Sequence, residues 1–340
     1  MNRREFITTA GLVSATTFIS ACGLGGGDSD EMEQTQPKPE GPVTLYYEFK
    51  IAGPAIQSMT TEVSNQANAL ENKTGFLSLS LKQMVGESTM VKNYPTDLKG
   101  ALKSAVIDGA HQGIRPFVYA LMIRFDSYDN LIASQSKEWF KNNIEPLLYA
   151  YKPGNPPQKT PIALDYYQGI YKTVAAGDAN NIYKTKEEII SFLKNQKDIA
   201  DTTYRPIPAD GSSNGVTITV LNHVTIRDED TEIVNQKATA LLTTAQETYQ
   251  PSSNPDDGNP GTLNNTFYQK PLTTEIMQNA YSAGGTRNYL FHGVWKSVGD
   301  HENSHIDPRF RKAAMPVGAY VIAGPVEPFY QTMILHNSNS

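Results

Sequence analysis

In "FLSLSLKQMV" (76–85), Leu77, Leu79 and Leu81 fall on one side and Ser78, Ser80 and Lys82 on the other. A period of two marks a half-buried strand. The same reading places strands at 43–50 and at 115–125, "RPFVYALMIRF", with a closing strand at 145–151. Helical spacing covers 54–73, which stops at Lys73-Thr74-Gly75, and 127–140. A loop-rich insertion fills 86–114. The plan then repeats. "VTITVLNHV" (216–224), "TLNNTFYQK" (262–270), "RNYLFHGVWK" (287–296) and the tail of 318–335 are strands. A helix spans 229–248 with Asp228 as a candidate cap, and another starts after Asp300.

Strand, helix, strand, strand, helix, strand, written twice, predicts an α+β fold of two ferredoxin-like repeats of the dimeric α/β barrel type. The first repeat is expected at 43–151 and the second at 215–336. The span 152–214 has "KPGNPPQKTP", a helical piece at 185–198 and "PIPADGSSNG". It is expected to be a connector of surface excursions.

The N-terminus breaks this pattern. Arg3-Arg4-x-Phe6-Ile7 resembles a twin-arginine export signal, and Ile19-Ser20-Ala21-Cys22 resembles a bacterial lipobox. The expected organisation is a signal peptide at 1–21, a lipidated Cys22, and a flexible Gly-, Pro- and acid-rich tether over 22–42. Gly23 rather than Asp after the lipid cysteine favours the outer membrane. The mature chain would be exported and held in the cell envelope, facing the periplasm.

Composition adds two exclusions. The net charge of −6 becomes −7 without the signal, which argues against nucleic acid as a partner. Cys22 is the only cysteine, so the mature body has no disulfide, catalytic thiolate or cysteine metal ligand.

The candidate chemistry lies in "GDHENSHIDP" (299–308). His301 and His305 are four apart and share one helix face. Spelled H-E-x-x-H, the segment suggests a zinc hydrolase with Glu302 as base. Its surroundings do not. Gly299-Asp300 starts a helix, with Asp300 a candidate cap, and Pro308 interrupts or restarts it. No third histidine follows at the spacing such proteases use.

Trp295-Lys296, Asp300-His301-Glu302-x-x-His305 and Gly324-Pro325-x-Glu327-Pro328-x-Tyr330 together resemble the sulfur oxygenase reductase family. The resemblance is close over 289–330 and architectural elsewhere. It implies a mononuclear non-haem iron held by His301, His305 and Glu327, two ferredoxin-like repeats, and an assembly of many copies. It also implies action on inorganic sulfur with O2. Two His and one carboxylate is the set that leaves open positions on Fe(II). Gly324-Pro325 can turn Glu327 back toward the helix. Glu302 is a candidate for orienting a ligand or relaying a proton, or an acid favouring the helix dipole. Trp295 and Tyr330 are expected to pack around the site.

The chain departs from that family in three ways. No cysteine is left to carry a persulfide, so sulfur binds without a covalent anchor or the substrate is another small molecule. The family is cytoplasmic. Its iron motif sits in the first repeat, whereas here "MIRFDSYDNLIAS" of the first repeat has no His. Two alternatives stand beside the iron enzyme: a metal-binding envelope lipoprotein without turnover, and the zinc hydrolase. His223 and His292 fall on strands and are expected as hydrogen-bonded core or edge residues. His111 and His336 are expected in solvent.

Overall fold

The computed structural model describes residues 35–88, 107, 109–151, 161–179, 181–208, 211–248, 269–305 and 308–338. The expected export signal, the expected lipidation site Cys22 and the expected tether up to residue 34 lie outside these residues. Eight strands dominate: β1 (Val43–Ile51), β2 (Phe76–Glu87), β3 (Phe117–Phe125), β4 (Tyr166–Asp178), β5 (Ile218–Arg227), β6 (Thr273–Asn279), β7 (Thr286–Trp295) and β8 (Pro328–Asn337). The helices are α1 (Ile56–Leu70), α2 (Tyr128–Ala133), α3 (Lys186–Lys194), α4 (Thr231–Thr248), α5 (Val298–Ser304) and α6 (Pro308–Gly318).

The eight strands run β1-β3-β2-β8-β5-β7-β6-β4, and β4 pairs back onto β1. The sheet therefore closes into a barrel with antiparallel neighbours throughout. Closure leaves no long exposed edge. Within the first half the order is β4-β1-β3-β2, and within the second it is β8-β5-β7-β6.

Alternation sorts the side chains. Leu45, Tyr47 and Phe49 of β1 point out and pack under α1 with Met59, Val63 and Leu70. Tyr46 points in, beside Met122, Leu221, Met277, Leu290 and Tyr330. The outer face of the second half packs on α4 through Val224, Ile226, Val234 and Leu242. α3 begins with a capping box between Thr185 and Glu188 and covers Leu77 and Ala176 with Ile189, Phe192 and Leu193.

The expected connector contributes a barrel strand. Residues 149–151 form only a short ribbon with 161–163, and the fourth strand of the first half is β4. "YYQGIYKTVAAGD" hides its pattern because Gly169 and Thr173 stand where an apolar inner face is expected. The strand expected at 262–270 falls mostly outside the described residues. The barrel uses 273–279 instead, a polar-looking stretch with buried Glu275 at its centre. Residues 127–140 are not one helix, since Gln135 is left-handed (φ 58°) and divides the segment. The tether's last residues are pinned to the body. Gln36 hydrogen-bonds with the backbone of Ser282 and Lys38 pairs with Asp129. Asp228 does not cap α4 and instead binds Arg287 at 2.6 Å.

The barrel interior holds two buried ion pairs. Lys82 Nζ donates to Asp198 at 2.7 Å and to the hydroxyls of Thr219 and Thr332. Arg124 donates to Glu275 at 2.7 Å, and Thr173 and the His292 imidazole contact the same carboxylate. Burial alone would raise the Glu275 pKa, but Arg124 and His292 outweigh it and hold the group at about 2. Burial lowers the pKa of His292. Both groups bind protons less readily folded than unfolded, so acid favours unfolding. Stability should decline first below pH 6.5 from His292. It should then fall by about 3 kcal/mol between pH 4.5 and 2 from Glu275. Urea unfolding across that range reads the loss, and a flat profile below pH 4.5 would show that Glu275 has no such role.

Candidate metal centre

The site begins with a helix cap. Ser297 Oγ accepts from Asp300 N at 3.1 Å and donates to the Asp300 carboxylate at 2.7 Å. Ser297 is therefore the cap of α5, and Asp300, the expected cap, is its partner three residues on. Asp300 also accepts from the backbone N–H of Gln269 at 2.7 Å. "SVGD" carried that signal. α5 ends at Ser304, and α6 starts at Pro308, where a missing N–H costs nothing.

α5 and the turn after it bring His301 and His305 together. Their Nε2 atoms are 3.2 Å apart. Glu327, between an irregular strand (Val321–Val326) and β8, places Oε2 3.7 Å from His305 Nε2. Among the described His, Cys, Asp and Glu side chains, these three form the one trio whose ligand atoms all lie within 4.8 Å. Gly324 makes the approach of the irregular strand possible. Its φ is +93°, and a Cβ there would collide with the His223 carbonyl oxygen.

Each ligand candidate has a support. Glu302 Oε1 lies 3.7 Å from His301 Nδ1, on the side away from the Nε2 convergence, and accepts from Ser88 Oγ at 2.6 Å. Burial would raise the Glu302 pKa, but the His301 imidazole beside it and the Ser88 hydroxyl hold it below the usual carboxylate range. The amide of Asn222 donates to Glu327 Oε1. Glu327 Oε2 is buried without a hydrogen-bond partner. Burial also lowers the His305 pKa, so its imidazole is neutral. Trp295 and Phe329 meet the His301 ring edge-on at 5.3 Å, and Phe310 stacks on His305 at 5.4 Å. Tyr330, expected beside the site, points into the barrel instead, because it follows Phe329 on a strand.

These residues fit a divalent metal. Two donors about 2.1 Å from one ion, at angles between octahedral and tetrahedral, stand about 3.0–3.4 Å apart. The 3.2 Å imidazole spacing matches. A neutral imidazole and a buried carboxylate oxygen without a partner supply the donors such an ion needs. Beside them is a cavity of about 110 Å³ between the outer face of the second half and α4, walled by Leu241, Leu242, Ala245, Phe291 and Phe310. His292 reaches its floor by way of β7 and bonds Glu275, whereas His223 lies 3.4 Å from Glu48 on the inner face. His336 is half-buried near Glu71, and exposed His111 packs its ring on Tyr204 at 4.2 Å. Asn222, Ser88, Ser297 and Phe310 were not among the expected site residues.

Residues 42–130 match the family model of the ABM-like domain. Residues 174–333 match the family model of the CT0912-like C-terminal domain, a span that includes His301, His305 and Glu327. No curated protein matches the chain. A solved protein of Fusobacterium nucleatum, named as a candidate monooxygenase, aligns over 88% of this chain and 96% of its own, at 10% identity and a TM-score of 0.48. Another so named, from Lactobacillus acidophilus, aligns over 88% and 98% at 9% identity and 0.47. An anthrone oxidase-like protein aligns over 88% and 95% at 9% and 0.46. Likeness this distant carries no argument about activity.

Removing the Asn222 amide should loosen Glu327. Outer partners of metal ligands typically contribute about 10–100-fold in affinity. Asn222→Ala is expected to weaken metal binding within that range, read by competition with a chelator. Unchanged affinity would mean that Glu327 is not a ligand.

Proposed function

We propose that this chain is a mononuclear non-haem iron oxygenase or oxidoreductase of the sulfur oxygenase reductase type, acting with O2 on inorganic sulfur or another small substrate. The observation that carries this reading is the convergence of His301, His305 and Glu327 beside an apolar cavity. His301, His305 and Glu327 would hold the ion. Bound there, Fe(II) supplies positions at which O2 and substrate meet.

The chain's own residues do the rest. Glu302 places its carboxylate 3.7 Å behind His301 Nδ1 and sets the charge on that side of the ring. Asn222 occupies Glu327 Oε1 and leaves Oε2 for the ion. Leu241, Leu242, Phe291 and Phe310 exclude water from the substrate's place. With no thiol in the mature body, the substrate is held by apolar contact and shape. The two halves, each with its fourth strand beside its first, read as two ferredoxin-like repeats, and His301, His305 and Glu327 all lie in the second. We read Cys22 as the lipid anchor of an exported envelope protein, in a homo-oligomer.

The position of Glu302 speaks against the zinc hydrolase. A base of that kind faces the metal's open side, and here the carboxylate lies behind His301. The remaining alternative, a metal-binding lipoprotein without turnover, differs in one result. The iron-loaded protein should consume O2 with elemental sulfur or a polysulfide, and His305→Ala should reduce uptake to background. Iron binding without uptake on any sulfur compound supports the non-catalytic reading. Peptide cleavage that Glu302→Gln abolishes supports the hydrolase.

A further inference from the structure

β5 and β8 each pass a residue to both faces of the barrel wall. Asn222 and Phe329 face the metal cluster outside. Their neighbours His223 and Tyr330 face inward, where a second group of side chains meets. Tyr46 Oη donates to Glu48 Oε2 at 2.9 Å, and Tyr330 Oη donates to the same oxygen at 3.3 Å. His223 Nε2 stands 3.4 Å from it. Three donor atoms from β1, β5 and β8 thus gather around Glu48 Oε2.

We propose that Glu48, Tyr46, Tyr330 and His223 form a second metal site, selective for a hard trivalent cation such as ferric iron. Neighbouring donors in six-fold coordination at about 2.0–2.1 Å lie about 2.8–3.0 Å apart, so spacings of 2.9–3.4 Å need only a slight contraction. One carboxylate and two phenolates bring three negative charges on hard oxygens, matching a trivalent ion, and the imidazole completes the set. A plain hydrogen-bond network explains less. It accounts for both phenols but leaves His223 Nε2 buried without a hydrogen-bond partner. The two tyrosines are fully buried, while the Glu48 and His223 side chains are about one-third exposed, which gives an ion a way in. Binding would release the two phenol protons to solvent.

The experiment titrates metal-stripped full-length protein with ferric nitrilotriacetate and follows visible absorption. Phenolate bound to ferric iron gives a charge-transfer band, which imidazole and carboxylate ligands alone do not. A band saturating at about one equivalent is expected. Tyr330→Phe and Tyr46→Phe should each weaken ferric binding by about a hundredfold or more, beyond the effect of an outer partner. His301→Ala should leave the band in place, which separates this site from the cluster outside. No band in folded wild-type protein overturns the proposal. A band unchanged in both Phe variants does so too, as does zinc binding at these residues in place of ferric ion. Circular dichroism confirms that each variant is folded.

Discussion

Alanine at position 301 is expected to strip the metal and abolish oxygen uptake while the barrel stays folded. In the reading proposed above His301 supplies one of three protein donors, and its Nε2 lies 3.2 Å from that of His305. Two donors hold an iron ion poorly against a chelator, so bound metal should fall about tenfold or more. The fold should tolerate the change. The clusters under α1, inside the barrel and under α4 do not include His301. The lost side-chain contacts are those with Trp295, Phe329, His305 and the Glu302 carboxylate. Glu302→Gln is the informative companion. It keeps the ligands and alters only what stands behind His301, so affinity should fall by about 10–100-fold and activity should return at high iron. Elemental analysis and oxygen-electrode measurements on both variants check this. Iron retained in His301→Ala combined with Tyr330→Phe, which weakens the second site proposed above, would remove His301 from the ligand set.

The second large effect is on stability. Arg124→Ala should destabilise the protein by about 3–5 kcal/mol, the usual cost of stranding a buried charge. Arg124 and Glu275 are both almost wholly buried, 2.7 Å apart and 151 residues apart in sequence. Without the guanidinium, Glu275 retains only Thr173 and His292. Arg124→Met with Glu275→Leu removes both charges and should recover most of the loss, since apolar replacements of a buried pair are often neutral or stabilising. Urea unfolding of the single and double variants measures both. A single variant within 1 kcal/mol of wild type would contradict the assignment (a factor of about five in the folded ratio). Neither change should alter the iron content of folded protein.

How much of this was legible in the sequence depended on whether a contact was local. β1, β2, β3, β5 and β7 bury a broad apolar outer face under helices, so their alternation shows. β4 and β6 do not show it. Gly169 and Glu275 sit on their inner faces and make sense only against residues such as Arg124 across the barrel. The same rule divides the site. His301 and His305 are one helical turn apart, and Gly324-Pro325 announces the turn before Glu327. Asn222 reaches Glu327 across 105 residues, and Ser88 reaches Glu302 across 214, so neither partner could be read locally. Tyr330 lay inside a recognisable segment, yet one step along β8 put it on the opposite face from the metal. Asp300 was visible as part of a helix start, but Ser297 three residues earlier is the cap.

The most direct measurement is the metal content of the purified protein, by elemental analysis after gel filtration. The account predicts about one iron per chain at the His301–His305–Glu327 cluster in Tyr330→Phe protein, and none there once His301→Ala is added. Protein with no stoichiometric metal, or with zinc in its place, would contradict it.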